Sequence, residues 1–452
     1  MAMKRVLAAV AALALTVALL AGGAFSASAE ATGYPLPESR AIYSDVALLV
    51  NLGSKAENDT VIYAKNADEV HAPASMIRYM VVAYALTRVQ EQGLDMDAGT
   101  GTYTLELFNN FVAGTGVPTA NMNFGESWTL RDLIAASFLQ SASDAVTVLA
   151  VTIDGSVSAF VRGMNDLAQK IGCDFTHFAN VTGLDSLAQY TTARDVYRII
   201  RYAQTFSVFE ELVGSRTYTV HPTAGGTERT LVSVNHMQNG GSTFYYSPLA
   251  FSRTGLSDRE GRTCASVARD SGYEFLAVVM ACPETNAAGQ SGLHYLDTRT
   301  LFRWAFNSFH YTTVLARSEI LASVKVRLAW NTDRVNLVPE REYATVIETG
   351  MSNDQIIRRV TVDQEVINAP VKKGDVLGKV ELIVNVDQKI GEVPLVASES
   401  ISRNGLMVVF SFLGSVVTSG WFWLAFGVLL LLVVGYIVLN VVYNRRRRRR
   451  FR

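Results

Sequence analysis

The sequence is poor in the side chains that form disulfide frameworks and metal centres. Its 452 residues include only three cysteines, Cys173, Cys264 and Cys282, and six histidines. The low, odd cysteine count excludes a scaffold held together by disulfides, and the histidines show no spacing typical of zinc ligands. We therefore predict no metal and no other cofactor. A Cys264–Cys282 bridge stays open, but both residues lie in apolar, strand-like runs, which favours buried thiols.

Charge is also scarce, since 18% of the residues are charged and 49% are hydrophobic. Two terminal segments account for part of this imbalance. Lys4 and Arg5 precede a long apolar run that ends in the small residues Ala27-Ser28-Ala29. This order is typical of a secretory signal peptide, which we place at residues 1–29; a retained membrane anchor is the alternative.

The second apolar segment, residues 421–443, contains one strongly polar residue, Asn440. At 1.5 Å per residue it spans roughly 34 Å, enough to cross a bilayer core of about 30 Å. Seven arginines follow in residues 444–452, and such a cluster predicts a cytoplasmic tail. A tail for nucleic acid is the alternative, but arginines next to a span are better explained by lipid headgroups. The pattern predicts a single-pass protein of the cell membrane with an extracytoplasmic body.

Without these terminal cations the body is acidic. When Lys4, Arg5 and the seven tail arginines are left out, 31 basic and 41 acidic residues remain, a net charge of −10. Nucleic acid is therefore not an expected partner of the body.

Between the two termini the apolar pattern indicates two domains. Residues 38–312 alternate strand-like and helical patterns, including a helix after Ser75 that ends at Gly93. Residues 313–402 consist of short alternating runs separated by turns, which is typical of a small all-β domain. Residues 403–420 are predicted to be either a linker or an interfacial segment.

Three short stretches of the first domain could carry chemistry. Ser75 and Arg78 would share one helix face close to the free N–H groups of the helix N-terminus. Ser141 and Ser143 fall between two helices and could face a cleft, where one hydroxyl relays protons and the other binds an amide. The tripeptide Arg253-Thr254-Gly255 offers a cation, a hydroxyl and room for close approach, which suits a peptide carboxylate.

The first two stretches also have a purely structural interpretation, and the third, an R-T-G tripeptide, is weak evidence by itself. Serine is a favoured helix cap, so Ser75 could cap the helix that follows it. Ser143 and Asp144 could likewise cap a second helix.

The order of the three stretches resembles that of serine enzymes that form acyl-enzymes with penicillin, which carry S-x-x-K, S-x-N and K-T-G. In this chain they read S-M-I-R, S-A-S and R-T-G. The flanking stretches VIYAKNADEVHAPASMIRYM and FLQSASDAVTVLA resemble the D-alanyl-D-alanine carboxypeptidases among the low-molecular-weight penicillin-binding proteins. The stretch APVKKGDVLGKVELIVNVDQKIGEVPLVASESI resembles their C-terminal β domain, so the resemblance covers about residues 38–402.

This resemblance implies an α+β fold and a set of roles. The first domain would have the penicillin-binding/β-lactamase-like architecture, an antiparallel sheet flanked by helices, followed by the all-β domain and one transmembrane helix. Ser75 would be the nucleophile, and its N–H would form the oxyanion hole with that of Leu256. The implied ligand is a peptidoglycan stem peptide that ends in D-Ala-D-Ala; β-lactams and a cell-wall enzyme are further candidate partners.

All three motifs depart from the family pattern. Arg78 stands where the family has its catalytic lysine, and arginine stays protonated because its pKa is above about 12. It cannot act as the general base, a role that contributes roughly 10²–10⁴-fold to rate. Ser143 replaces an asparagine, whereas Arg253 replaces a lysine and keeps its charge.

These departures leave two functions open. The first is a serine-type D-Ala-D-Ala carboxypeptidase with impaired acyl-Ser75 chemistry. The second is a non-catalytic, membrane-tethered protein that binds or regulates cell-wall components. A β-lactamase is less well supported, because the added β domain and anchor suit wall substrates better.

Overall fold

The computed structural model describes residues 32–330, 332–385 and 388–449. The predicted signal peptide, residues 1–29, and the end of the arginine tail, residues 450–452, lie outside the described residues. The chain divides into two compact units. The first extends to Thr312 and also includes Thr345–Ser352 and Val384–Ile390, and the second comprises Thr313–Ala344, Asn353–Ile383 and the residues from Gly391 on.

The first unit contains the strands β1 Thr32–Gly33, β2 Val46–Asn51, β3 Thr60–Lys65, β4 Thr100–Thr102, β5 Ser127–Thr129, β6 Thr217–Val220, β7 Arg229–Val232, β8 Leu249–Ser257, β9 Gly261–Asp270 and β10 Tyr273–Cys282. Six of them form an antiparallel sheet with the strand order β1-β3-β2-β10-β9-β8. Two short two-stranded sheets, β4-β5 and β6-β7, complete the unit. The alternation of apolar runs and turns in the sequence thus corresponds to real strands, and β8 lies at an edge of the sheet.

Helices pack around the sheet and around one central helix. They are α1 Arg78–Gln92, α2 Leu105–Phe111, α3 Leu130–Leu139, α4 Ser143–Asp154, α5 Val157–Lys170, α6 Ala193–Ala203, α7 Phe209–Gly214 and α8 Leu293–Ser308. Helix α1 contacts α3, α4, α5 and α6, and its residues 78–87 are all buried. Its predicted end is confirmed, because Gly93 adopts the left-handed conformation at φ 62° that glycine accepts without strain.

The remaining strands within the described residues are β11 Phe309–Leu315, β12 Ala322–Arg327, β13 Arg334–Pro339, β14 Tyr343–Glu348, β15 Ile357–Val362, β16 Val366–Asn368, β17 Val376–Val384 and β18 Gln388–Ala397. The second unit is mainly a six-stranded sheet with the order β15-β17-β18-β13-β12-β16, in which β12 and β16 are parallel. The predicted small all-β domain is therefore confirmed.

Two helices follow this sheet, α9 Gly405–Thr418 and α10 Gly420–Arg449. Within the described residues, Gly420–Asn444 is the one helix that is by itself long and apolar enough to cross a membrane, and none of it is buried. Trp421 and Tyr443 lie near its two ends and are 80% and 66% exposed. The predicted fold class, an α+β domain, an all-β domain and one long apolar C-terminal helix, is confirmed.

Candidate active site

Ser75 lies in a 3₁₀ turn, Ala74–Ile77, directly before α1. The structural interpretation of Ser75 as a helix cap is wrong: the cap residue of α1 is Ile77, and no side chain bonds to the helix there. Ala74 adopts a left-handed φ of 45°, an uncommon conformation that tends to occur at functional sites. Ser75 is partly exposed between buried neighbours, and its hydroxyl forms no hydrogen bond within the described residues. The side chain of Ser75 is therefore partly accessible to solvent, and its hydroxyl is not bonded to any other described residue.

The second motif forms a tight turn between α3 and α4. Ser141 has a left-handed φ of 57° and is 5% exposed. Ser143 is the first residue of α4 and is fully buried, and its hydroxyl donates to the Ser141 carbonyl at 3.4 Å. The motif is therefore a rigid, buried turn.

The prediction that Ser143 and Asp144 cap α4 is wrong for the cap position itself, which is Ala142 and has no side-chain hydrogen bond to the helix. Asp144 nevertheless accepts the first-turn N–H of Ala145 at 2.9 Å. It also accepts the backbone N–H groups of Ala120 and Met122 at 2.9 and 3.0 Å. Its carboxylate holds the preceding loop against the turn, a contact between residues more than 20 positions apart.

The third motif brings strand β8 against Ser75. A Cβ atom at Gly255 would lie 2.7 Å from both the backbone nitrogen of Ser75 and the Cβ of Ala74, so no larger residue fits without a shift. Thr254 is partly exposed and Leu256 is 38% exposed. Glycine at this position therefore allows strand β8 to approach the backbone of Ser75 closely.

Arg78 occupies the centre of the site and is fully buried. Its Nη2 donates to the carbonyls of Ser141 and Thr182 at 3.0 and 3.3 Å and to the hydroxyl of Ser143 at 3.3 Å. Its Nε and Nη1 have no hydrogen-bond partner, and within the described residues the guanidinium forms no ion pair with a carboxylate. Arg78 therefore connects the second motif to the loop that contains Thr182.

The surroundings of Arg78 disfavour its protonated form but do not deprotonate it at neutral pH. Burial, and then repulsion by Arg253, lower the pKa of Arg78 to about 9, while Asp144 opposes the shift. A group with this pKa is protonated at neutral pH, so Arg78 carries a positive charge three residues after Ser75.

Arg253 is the second buried cation and is 3% exposed. Its Nε donates to the Ser75 carbonyl at 3.4 Å, its Nη1 donates to the Phe138 carbonyl, and its guanidinium carbon lies 5.7 Å from the centre of the Phe138 ring. Burial lowers the pKa of Arg253 to about 10, so it too is charged at neutral pH. The site thus contains two cations next to the serine.

Two side chains near Ser75 in the sequence that could accept a proton, Tyr79 and His71, have other partners. The fully buried hydroxyl of Tyr79 donates to the Ala265 carbonyl at 2.8 Å, and burial raises its pKa well above the usual range. The ring of His71 pairs with Glu260 at 3.1 Å. Within the described residues, no histidine, lysine or carboxylate forms a hydrogen bond with the Ser75 hydroxyl.

The loop that contains Asn180 and Gly183 forms the remaining wall and was not predicted from the sequence. Gly183, at φ 86°, packs against Ser75: a Cβ there would lie 3.1 Å from the Cα of Ser75. Asn180 shapes this loop, because its Oδ1 accepts the N–H groups of Thr182 and Gly183 at 3.1 and 2.8 Å. The order Asn-x-Thr-Gly is a recognisable turn signal, but nothing in its spacing places it beside a serine about 100 residues earlier.

The three motifs that contain Ser75, Arg78, Ser141, Ser143, Arg253, Thr254, Gly255 and Leu256 adjoin one another: Arg78 bonds to Ser141 and Ser143, Arg253 bonds to Ser75, and Gly255 packs against Ser75. The described residues contain no group of three His, Cys, Asp or Glu side chains that could hold a metal ion. All three cysteines, including Cys264 and Cys282, are free and buried, as predicted.

Comparison with known proteins is consistent with this geometry. Residues 35–284 match the D-alanyl-D-alanine carboxypeptidase family, and residues 309–403 match the C-terminal domain of penicillin-binding protein 5. The chain is 23% identical to the D-alanyl-D-alanine carboxypeptidase DacF of Bacillus subtilis over 78% of this chain and 85% of that one. It is 26% identical to DacC of Escherichia coli, over 76% and 82%.

Solved structures share the fold. Penicillin-binding protein 5 of Haemophilus influenzae superposes with a TM-score of 0.63 at 20% identity, covering 82% of this chain and 100% of that one. A peptidoglycan synthesis regulatory factor, PBP3, of Streptococcus pneumoniae does so with a TM-score of 0.58 at 17% identity, covering 80% and 100%. Because the family match covers more than half of the sequence, the chain belongs to the D-alanyl-D-alanine carboxypeptidase family of penicillin-binding proteins.

Proposed function

We propose that this protein is a membrane-anchored carboxypeptidase-like protein that binds peptidoglycan stem peptides ending in D-Ala-D-Ala and acylates slowly at Ser75. One observation carries the proposal: a fully buried, protonated Arg78 fills the place of the general base, three residues after the serine. Helix α10 would anchor the protein, with the body outside the cytoplasm and the arginine tail inside.

The binding part of the proposal rests on Arg253, which is 3% exposed and whose Nη2 forms no hydrogen bond within the described residues, whereas its Nε and Nη1 donate to backbone carbonyls. Arg253 and Thr254 lie on β8 beside Ser75, and a guanidinium is well suited to a carboxylate. We assign to them the terminal carboxylate of the peptide. The backbone N–H groups of Ser75 and Leu256 would then polarise the scissile carbonyl, and Ser143 would offer the peptide amide one hydroxyl where the family has an amide side chain.

The catalytic part of the proposal depends on which group accepts the hydroxyl proton of Ser75. Attack by the Ser75 oxygen forms an ester with the peptide carbonyl and breaks the amide bond to the last D-alanine. The hydroxyl proton must leave the serine, and the departing nitrogen must gain one. Arg78 cannot accept that proton at neutral pH, and Ser141 can only relay it. Loss of the base should slow acylation by roughly 10²–10⁴-fold, equivalent to about 2.7–5.5 kcal/mol of barrier.

The same observation supports a second candidate, a non-catalytic wall-peptide receptor or regulator. Arg78 bonds to two carbonyls and a hydroxyl from separate segments, which is a structural role that needs no turnover. The two candidates differ only in whether Ser75 is ever acylated.

Two experiments on the purified full-length chain test the proposal. Labelling with a fluorescent penicillin should be weak or absent, and any residual label should vanish in Ser75→Ala; rapid labelling that depends on Ser75 would refute the account of the base. A peptide ending in D-Ala-D-Ala should bind, whereas the same peptide with an amidated C-terminus should not. Equal binding of the two peptides, or of neither, would refute the recognition role.

Mass spectrometry separates the two candidate functions. A Ser75 adduct that accumulates over hours with penicillin indicates a slow enzyme. Complete absence of an adduct, together with retained peptide binding, indicates a receptor.

A further inference from the structure

Helix α9, Gly405–Thr418, exposes apolar side chains around most of its circumference. Leu406, Phe410 and Phe412 are 64%, 71% and 65% exposed. The hydroxyls of Ser415 and Thr418 do not create a polar face, because they donate to carbonyls of their own helix at 2.8 and 2.9 Å. A helix that is apolar all round requires an apolar environment.

The length of α9 excludes a second membrane crossing. Its 14 residues extend about 21 Å, less than the roughly 30 Å of a bilayer core. Only Ser419 separates it from α10, Gly420–Arg449. The apolar helix therefore starts on the body side of the proposed span and continues directly into it.

The beginning of α9 is fixed to the β domain. Asn404 caps the helix by accepting the N–H groups of Leu406 and Met407 at 3.0 and 3.2 Å. The N–H of Asn404 donates to the Leu328 carbonyl at 2.7 Å, and Arg403 forms a β-bridge with Ala329. The turn after β12 must therefore be close to whatever covers α9.

That turn has the composition of a lipid-headgroup contact. Trp330 is 59% exposed, and Arg327 and Arg403 are exposed and form no ion pair within the described residues. Arg327, Trp330 and Asp333 line a space of about 600 Å³ together with Met407 of α9. Exposed tryptophan and arginine side chains favour the membrane interface, where the ring meets the acyl boundary and the cation meets phosphate.

We propose that α9 lies in the membrane leaflet on the body side, and that Arg327, Trp330 and Arg403 contact its headgroups. The inference rests on the proposed anchoring by α10. Its consequence is that the β domain is held against the membrane surface by a second lipid contact and is not carried on a free linker.

The test uses the full-length protein in phosphatidylcholine vesicles that contain phosphatidylglycerol. All native cysteines are buried, so a single introduced cysteine can be labelled with an environment-sensitive fluorophore. The probe sites are Phe410→Cys in α9 and Trp330→Cys in the turn. Val433→Cys in α10 is the lipid control, and Val376→Cys, an exposed site of the same β domain, is the water control.

We expect the probe at 410 to resemble that at 433, with quenching by nitroxide lipids and several-fold weaker quenching by iodide than at 376. The probe at 330 should be quenched by a headgroup-attached nitroxide. Iodide quenching at 410 equal to that at 376 overturns the proposal while leaving the α10 anchor intact. Aqueous behaviour at 433 as well overturns the anchor itself. Protection at 410 without lipid quenching shows that protein covers α9, which also contradicts the proposal.

Discussion

Replacing Arg78 by lysine should restore acylation of Ser75. The change shortens the side chain, keeps a hydrogen-bond donor near the carbonyls of Ser141 and Thr182, and supplies an amine that can lose its proton. No other residue of the cleft has to change for the proton to leave the serine.

The size of the effect follows from the environment of Arg78. Burial and Arg253 lower the pKa of Arg78 to about 9. The same surroundings would also lower the pKa of a lysine, whose usual value of about 10.4 is already below that of arginine. A lysine at this position would therefore be neutral in a larger fraction of molecules at pH 7 than Arg78 is. A positioned general base contributes roughly 10²–10⁴-fold to the rate of a reaction, so we expect acylation of Ser75 to be at least about 10²-fold faster in the lysine variant.

The assay is the second-order rate constant for labelling by a fluorescent penicillin, measured on the full-length protein. Arg162→Lys, the same substitution at an exposed position of α5, is the matched control and should leave the rate unchanged. Adding Ser75→Ala to Arg78→Lys should abolish the gain. Ser143→Asn, combined with Arg78→Lys, should increase the rate further because it restores an amide donor and acceptor.

A well-folded Arg78→Lys variant that binds the D-Ala-D-Ala peptide normally but labels no faster would refute the reasoning. Such a result would mean that a step other than proton transfer limits acylation of Ser75. Thermal unfolding and peptide titration of the same sample establish that the variant is folded.

Four further tests, one of pH dependence and three of variants, address the remaining parts of the site. Residual acylation of the unmodified protein should rise steadily with pH, because Arg78 supplies no base and removal of the Ser75 proton is left to hydroxide; a flat pH profile contradicts this. Arg253→Gln should weaken binding of the D-Ala-D-Ala peptide roughly 10–150-fold in calorimetry, the effect of a charged hydrogen bond worth about 1.5–3 kcal/mol; unchanged affinity contradicts the carboxylate assignment. Gly255→Ala should abolish labelling of the lysine variant, because its Cβ would lie 2.7 Å from the backbone nitrogen of the nucleophile, whereas Gly240→Ala meets no atom within 4 Å and should have no effect. Asp144→Ala should lower the free energy of unfolding in urea by about 1–3 kcal/mol, because two buried N–H groups lose their acceptor; a change below about 0.5 kcal/mol contradicts the role of this carboxylate.

Sequence patterns predicted those elements of the fold that depend on interactions between residues close together in the chain. Helix α1 could be recognised from its apolar run and its end at Gly93, and the order of the three motifs predicted which distant residues share the cleft. The small all-β domain followed from its short alternating runs. In each case the signal is carried by residues close together in the sequence, or by motifs whose order is itself informative.

The errors have a common cause, since they concern contacts between distant residues. Asp144 accepts the first-turn N–H of Ala145, as its position suggests, but it also bonds to Ala120 and Met122 because the fold places those N–H groups nearby. The contact of Arg78 with Thr182 joins residues 104 positions apart. Neither contact leaves a periodic or spacing signal, so tertiary packing alone determines them.

The most direct test of the account is release of D-alanine by the unmodified full-length protein. The purified protein is incubated with a saturating pentapeptide that ends in D-Ala-D-Ala, and bound peptide and free D-alanine are measured in the same sample. The account predicts that the peptide is bound while release is at least about 10²-fold slower than in the Arg78→Lys variant. Release at neutral pH that depends on Ser75 and equals that of the lysine variant would contradict it.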